Sequence, residues 1–108
     1  MKLRADDRVL LLDIPAAGEL AALARILSRG VLVAMSDVYA VDQARAAMSE
    51  FDNVMFIEAS PAQIPWRDAY FTVVLVPPHM KEAARSAQSE IARVLAPQGR
   101  VEGWSEDV

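Results

Sequence analysis

The apolar residues of this chain fall in short runs, and that pattern limits what it can fold into. The runs are Arg8–Ile14 (RVLLLDI), Val31–Met35 (VLVAM), Val54–Glu58 (VMFIE) and Phe71–Val76 (FTVVLV), with a fifth, shorter strand over Arg100–Trp104. Continuous short runs of Val, Leu and Ile suit strands buried on both faces. Pro15 ends the first run and Pro77-Pro78 the fourth, because proline cannot donate to a ladder. Helical spacing fills the gaps. After the turn Pro15-Ala16-Ala17-Gly18, the spacing predicts a helix over Glu19–Arg29, with Leu20, Leu23, Ala24 and Leu27 inward and Gly30 as its stop. Ser36 or Asp37 caps a second helix to about Glu50, with Val41, Ala44 and Met48 inside. Met80–Leu95 is the third, carrying Met80, Ala84, Ala87, Ile91 and Val94 on one stripe. Ala59–Tyr70, with two prolines, reads as a loop, and Pro97-Gln98-Gly99 as a turn.

Strands alternating with helices imply right-handed crossovers and a parallel sheet. The expectation is one three-layer α/β domain over residues 1–108, with strand order 3-2-1-4-5. In such sheets ligands bind beyond the carboxyl ends of the strands, where the strand order reverses. Asp13 to Glu19, Met35 to Asp37, Glu58 to Ser60 and Val76 to His79 should therefore surround one crevice.

Composition narrows the function. The net charge is −4, with both signs scattered and no basic patch, so neither nucleic acid nor an anionic membrane is an expected partner. There is no Cys, which removes disulfide and thiolate chemistry and points to a reducing compartment. The N-terminus (MKLRADD) has no apolar signal core, and no run approaches a membrane span. The expected location is cytoplasmic. One His, no Cys and no clustered carboxylates predict no metal site.

Three stretches carry a family resemblance. Glu90–Val101 (EIARVLAPQGRV) resembles the E-x-x-R-V-L-x-P-G-G signature of class I S-adenosylmethionine-dependent methyltransferases of the type-11 or UbiE-like kind. Ile64–Leu75 (IPWRDAYFTVVL) is similar to that family's L-P-F-x-D-x-x-F-D-x-V stretch. Arg8–Leu23 resembles its first motif, V-L-D-x-G-x-G-x-G, and Val33–Arg45 its second strand and helix. The resemblance runs from about residue 8 to residue 104 and implies a Rossmann-like fold.

What the family uses to hold its cofactor is mostly replaced. Its glycine-rich turn lets the backbone approach the methionine part of S-adenosylmethionine, a place only a residue without Cβ fits. Here that turn is Pro15, Ala16, Ala17 and Gly18, with one Gly. Asp13 stands at the family's acidic position. Met35 takes the place of the ribose-binding carboxylate and offers no acceptor for a hydroxyl pair. Asp37 lies two residues later, and Ser60 replaces the Asp that reads the adenine amino group. The F-D of the fourth strand is Phe71-Thr72. Each unmet polar group costs roughly 1–3 kcal/mol, against about 8 kcal/mol for a micromolar ligand. The cofactor-binding candidates are thus Asp13, Gly18, Asp37 and Ser60, with no catalytic residue named.

The family also has one or two helices before the first strand, where seven residues precede Arg8 here. Its sheet continues past the fifth strand with an antiparallel pair, where this chain stops soon after Trp104. One sheet face is therefore expected to have only the Met80–Leu95 helix, and at most the Ala59–Tyr70 loop, as cover, and the fifth strand to be an open edge. Each exposed Val or Leu would forgo roughly 1.5–3 kcal/mol. That predicts a homodimer or a heteromeric partner subunit, associating through the uncovered face or that edge.

Other residues carry weaker signals. Val76-Pro77-Pro78-His79 resembles the N-P-P-Y motif of amino-methylating members, but Val76 lacks the polar group, so a strand-ending turn is the reading adopted. His79 could serve as a general base, though a surface position at a helix start is the plainer role. Glu19 suits a helix start. Trp66 is expected to cover apolar surface rather than lid the crevice, and Trp104 either anchors an interface or packs internally. The leading expectation is a degenerate, non-catalytic methyltransferase-like pseudoenzyme that needs no cofactor. The alternative is an active enzyme binding S-adenosylmethionine through an altered site. A module for another small ligand is the third.

Overall fold

Strand β1 (Arg8–Leu12) lies at the centre of the molecule, and none of Val9 to Leu12 reaches solvent. The computed structural model describes residues 2–104. β1 is followed by α1 (Ala17–Ile26), β2 (Val31–Ser36), α2 (Val38–Ala47), β3 (Val54–Glu58) and β4 (Phe71–Val76). A 3₁₀ turn (Pro78–Met80), α3 (Lys81–Ser86), α4 (Gln88–Val94) and β5 (Leu95–Gly103) complete it. All neighbouring strands are parallel, in the order β3-β2-β1-β4-β5. The expected architecture is the one observed.

The period of two along each strand sorts side chains into two cores. Val9, Leu11, Leu32, Ala34, Phe56, Val73 and Leu75 face α1 and α2, where Leu20, Leu23, Leu27, Val41, Ala44 and Met48 meet them. Leu10, Leu12, Val33, Met35, Val74 and Val76 face the other way. Register sets Met55, Val33, Leu10, Val74 and Val101 in one row across that second face. The middle three are buried, while Met55 and Val101, on the two edge strands, are 40% and 50% exposed.

One expectation is corrected, and two that stood open take a definite form. First, the second sheet face is not bare. Ile64, Trp66 and Tyr70 from the 59–70 segment lie on it beside Ala87, Ile91 and Val94. Trp66, Tyr70 and Phe71 pack ring to ring, with centroids 5.0–5.7 Å apart. The loop thus adds to the cover that the third helix region gives this face, with Met55 and Val101 part-exposed at its margins. Second, the predicted Met80–Leu95 helix is two. Ala87 leaves helical geometry (φ −111°, ψ 25°), its N–H returning to Ala84 O at 3.1 Å. The break lets α4 press Ile91 and Val94 onto the sheet while α3 fully buries none of its residues. Leu95 already belongs to β5. Third, of the two roles expected for Trp104, internal packing is the one observed. The residue is 9% exposed and joins the α1 side of the core, its N–H bonded to Val76 O at 2.9 Å.

The two sheet edges differ. On β3, the Arg45 guanidinium donates to the Phe56 carbonyl at 3.0 Å. Asn53 N–H and C=O precede that strand, and its carbonyl accepts from Leu32 N on β2. By alternation the Phe56 carbonyl faces outward, so Arg45 takes up one of the outward backbone acceptors of β3. On β5 the side away from β4 pairs with no strand among the described residues. Gly30 is needed for close approach: a Cβ there would lie 2.1 Å from Asp7 O.

Candidate functional site

The carboxyl ends of β1, β2 and β4 converge on Asp13. This residue follows β1 with φ 129°, a left-handed conformation unusual for a side chain other than glycine. Its Oδ1 accepts from Ile14 N at 2.8 Å and from Ser36 Oγ, at the end of β2, at 3.0 Å. Its Oδ2 lies 2.5 Å from His79 Nε2, in the turn after β4. Three segments far apart in sequence are thus joined through one carboxylate. Partial burial pushes the Asp13 carboxyl up, but the bonds from His79, Ile14 and Ser36 together outweigh it and hold the group below the usual carboxylate range. The His79 side chain is 63% exposed, at the rim.

The other candidates do not gather around Asp13 through any contact described. Gly18 lies inside the first turn of α1, one residue past its start, with nothing within 4 Å of where a Cβ would stand. The expected turn therefore contains no glycine: Ile14, Pro15 and Ala16 make it, and Ala16 is the helix N-cap without a side-chain bond. The predicted start at Glu19 came two residues late. Asp37 is exposed and serves as the α2 N-cap, its carboxylate accepting from Ala40 N at 2.9 Å. Met35 is 2% exposed and packs in the second core. Ser60 is exposed; it lines a cavity of about 520 Å³ with Glu58, Gln63, Ile64 and Glu90.

The turn after β4 is closed by backbone bonds. Val76 O accepts from Trp104 N, and Pro77 O, the carbonyl corresponding to the one the N-P-P-Y motif would use, accepts from Met80 N at 2.9 Å. Thr72, at the F-D position, stands at the opposite end of the sheet. Its hydroxyl donates to Asp7 Oδ1 at 2.8 Å and accepts from Arg8 N at 2.9 Å. Among the described residues, no three His, Asp or Glu side chains converge as a metal-binding group. None of the helices there is long and apolar enough to cross a membrane.

A second polar network sits on the α4 side. Glu90 Oε2 accepts from Ile64 N at 2.7 Å. Arg93 donates to Ile64 O at 2.7 Å, Trp66 O at 2.9 Å, Asp68 at 2.6 Å and Glu90 at 2.8 Å. The Arg93 bond and the Ile64 N–H pull the Glu90 carboxyl down to about 2, against its ordinary 4.5, and the bonds to Glu90 and Asp68 shift Arg93 up. Backbone bonds from Ala69 N to Arg93 O and Tyr70 N to Val94 O finish the attachment. Together these residues clamp the 59–70 segment over the sheet.

A sequence profile described as a methyltransferase domain matches residues 15–102. The chain belongs to that family. The match begins at Pro15, so β1 and Asp13 lie before it. Solved structures of similar fold include the YcgJ protein from Bacillus subtilis, 26% identical over 93% of this chain and 44% of that one, with a TM-score of 0.75. A SAM-dependent methyltransferase from Aquifex aeolicus is 19% identical over 89% of this chain and 54% of its own, with a TM-score of 0.74. A chain from the Haloferax volcanii complex of the Trm112 methyltransferase activator with a methyltransferase is 23% identical over 92% and 45%, also at 0.74. No curated protein matches in sequence. This methyltransferase domain spans about half the length of the solved structures it matches.

The domain's most specific signature, E-x-x-R before the last strand, now has a physical role: Glu90 and Arg93 are the clamp. Sequence reasoning found both residues but not what they hold. It also placed Asp13, Ser36 and His79 around one crevice without seeing that they bond to one another. The strand order was the available signal, since it sets the carboxyl ends of β1, β2 and β4 side by side.

Proposed function

We propose that this methyltransferase domain does not bind S-adenosylmethionine in its family's manner and acts through association, with a second copy or as a partner subunit. The supporting observation is the Asp13 cluster. The carboxylate at the family's acidic position bonds to Ile14, Ser36 and His79, and so ties the carboxyl end of β1 to β2 and to the turn after β4. On this reading the residues do not fit the cofactor. The turn has no glycine for close approach, Met35 packs in the core where a ribose carboxylate is wanted, and Asp37 is engaged as a helix cap. Resemblance of fold to methyltransferases does not decide between roles.

Thermal melting with millimolar S-adenosylmethionine or S-adenosylhomocysteine tests the proposal. A genuine cofactor at a hundred times its dissociation constant adds about 2.7 kcal/mol of stability. An unchanged midpoint is the expected result. A clear rise overturns the proposal and establishes instead a cofactor site of altered form, for which Asp13, Gly18, Asp37 and Ser60 are the residues to substitute first.

A further inference from the structure

His79 is the one histidine of the chain, and its contacts fix the state of its ring. Its Nε2 lies 2.5 Å from Asp13 Oδ2. Asp13 is held below the usual carboxylate range, so it is ionised and only accepts. Nε2 therefore carries the proton, and in the neutral ring Nδ1 keeps the lone pair. Among the described residues nothing bonds to Nδ1, and the side chain is 63% exposed. Asp13 is itself pinned. Ile14 N and Ser36 Oγ donate to its other oxygen at 2.8 and 3.0 Å. Its φ of 129° is a conformation that persists only where the surroundings impose it, and such outliers gather at functional sites. This one lies beyond the carboxyl ends of β1, β2 and β4, where the strand order reverses and ligands enter sheets of this kind. The order Ser36, Asp13, His79 puts the carboxylate in the middle. A carboxylate held low is too weak a base to activate the Ser36 hydroxyl. Ser36 instead orients the acid, and the acid orients the imidazole.

We infer that His79 is a reactive imidazole, its Nδ1 the nucleophile toward activated carboxylic esters and Asp13 the positioning residue behind it. A neutral imidazole is nucleophilic near neutral pH. The Nδ1 lone pair attacks the ester carbonyl carbon. The bond from that carbon to the leaving-group oxygen breaks, and the oxygen departs with the electron pair. The acylated ring is a cation, and its Nε2–H already points at the Asp13 carboxylate, whose charge stabilises it. Water then adds to the acyl carbon and loses a proton to solvent. The carbon–nitrogen bond breaks with its pair returning to Nδ1, and the carboxylic acid leaves. One ester and one water are consumed, and nothing is oxidised or reduced. Ile14, Pro15 and Ala16 after Asp13, and Pro77 and Pro78 before His79, carry no charge, which suits an uncharged ester.

The experiment is hydrolysis of p-nitrophenyl acetate by the full chain near neutral pH, followed by release of p-nitrophenolate, with no S-adenosylmethionine present. With a single His and no Cys, imidazole and thiol chemistry has one source. N-acetylhistidine at the same concentration sets the rate of an unassisted imidazole. The chain should exceed it by about tenfold or more, and His79→Gln should lose that excess entirely. Asp13→Asn keeps a carbonyl for Ile14 and Ser36 to donate to, and circular dichroism confirms its folding. Its amide turns a donor toward Nε2, which moves the ring proton to Nδ1 and removes the nucleophile. The rate should fall by about tenfold or more. The ring-nitrogen NMR signals, which belong to one residue, should pass from the Nε2–H to the Nδ1–H tautomer, a change that a merely structural role for Asp13 does not produce. A parent rate no higher than that of N-acetylhistidine overturns the inference. So does a His79→Gln variant that keeps the excess, or an Asp13→Asn variant as fast as the parent. The activity lies beside the association reading and does not rest on it. An inert His79 leaves that reading standing, and a melting point raised by S-adenosylmethionine leaves this inference standing.

Discussion

The Glu90–Arg93 clamp and the Asp13 cluster are both compact polar networks that pin loops against the sheet, and they have departed from the family pattern to opposite degrees. The clamp keeps the E-x-x-R spacing intact, because α4 must present both side chains to the backbone of Ile64 and Trp66. The end of β1 keeps only Asp13, and Asp13 is bonded to this chain's own groups. The contrast teaches that a family signature can carry a folding role of its own. Without the clamp, the segment carrying Ile64, Trp66 and Tyr70 has no strong hold over Leu10, Leu12 and Val33.

Four measurements break or sharpen that contrast. The largest effect belongs to Arg93→Ala, which leaves the carbonyls of Ile64 and Trp66 without their donor. The thermal midpoint should fall further than for any other substitution considered, and amide exchange at Ile64 and Ala69 should accelerate. An unchanged midpoint would mean that the clamp is ornamental. Acid comes next. Glu90 is shifted down on folding, so its contribution is complete above its ordinary 4.5 and is lost as pH falls through about 2. Asp13, also shifted down, adds in the same direction. Unfolding curves between those pH values should show stability falling, and the Arg93→Ala variant should show a shallower decline.

Smaller effects are expected at the crevice. Asp13→Ala should cost about 1–3 kcal/mol in denaturant unfolding, as Ser36 and His79 lose their acceptor. Asp13→Gly should recover part of that, because φ 129° suits glycine. If the two variants are equally unstable, backbone strain contributes nothing there. The smallest effect is a gain. Gly18 sits in helical geometry with open space around it, so Gly18→Ala should stabilise by about 0.5–1 kcal/mol. A loss instead would show crowding at that position and revive a close-approach role.

Much of the fold was legible. Short apolar runs and proline stops gave the strands, and alternation with helices gave the parallel order. Other features had weaker local marks. The start of α1 has no capping side chain, since Ala16 carries no hydroxyl or carboxylate. The break at Ala87 falls on a residue with no preference against helix. Glu90 and Arg93 read locally as a surface pair three residues apart, and their grip on Ile64 and Trp66 depends on where the 59–70 segment travels. Asp13 and His79 are 66 residues apart and meet only because the topology makes β1 and β4 neighbours. Trp104 looked like an edge residue, yet the bond to Val76 O brings its ring into the core.

The guanidinium of Arg45 on Phe56 O has a bearing on how far assembly can go. A sheet with two open sides can add copies without end and grow into a fibre. A guanidinium on an outward carbonyl of β3 takes away a backbone acceptor that an added strand would need, and so works against growth of the sheet from that side.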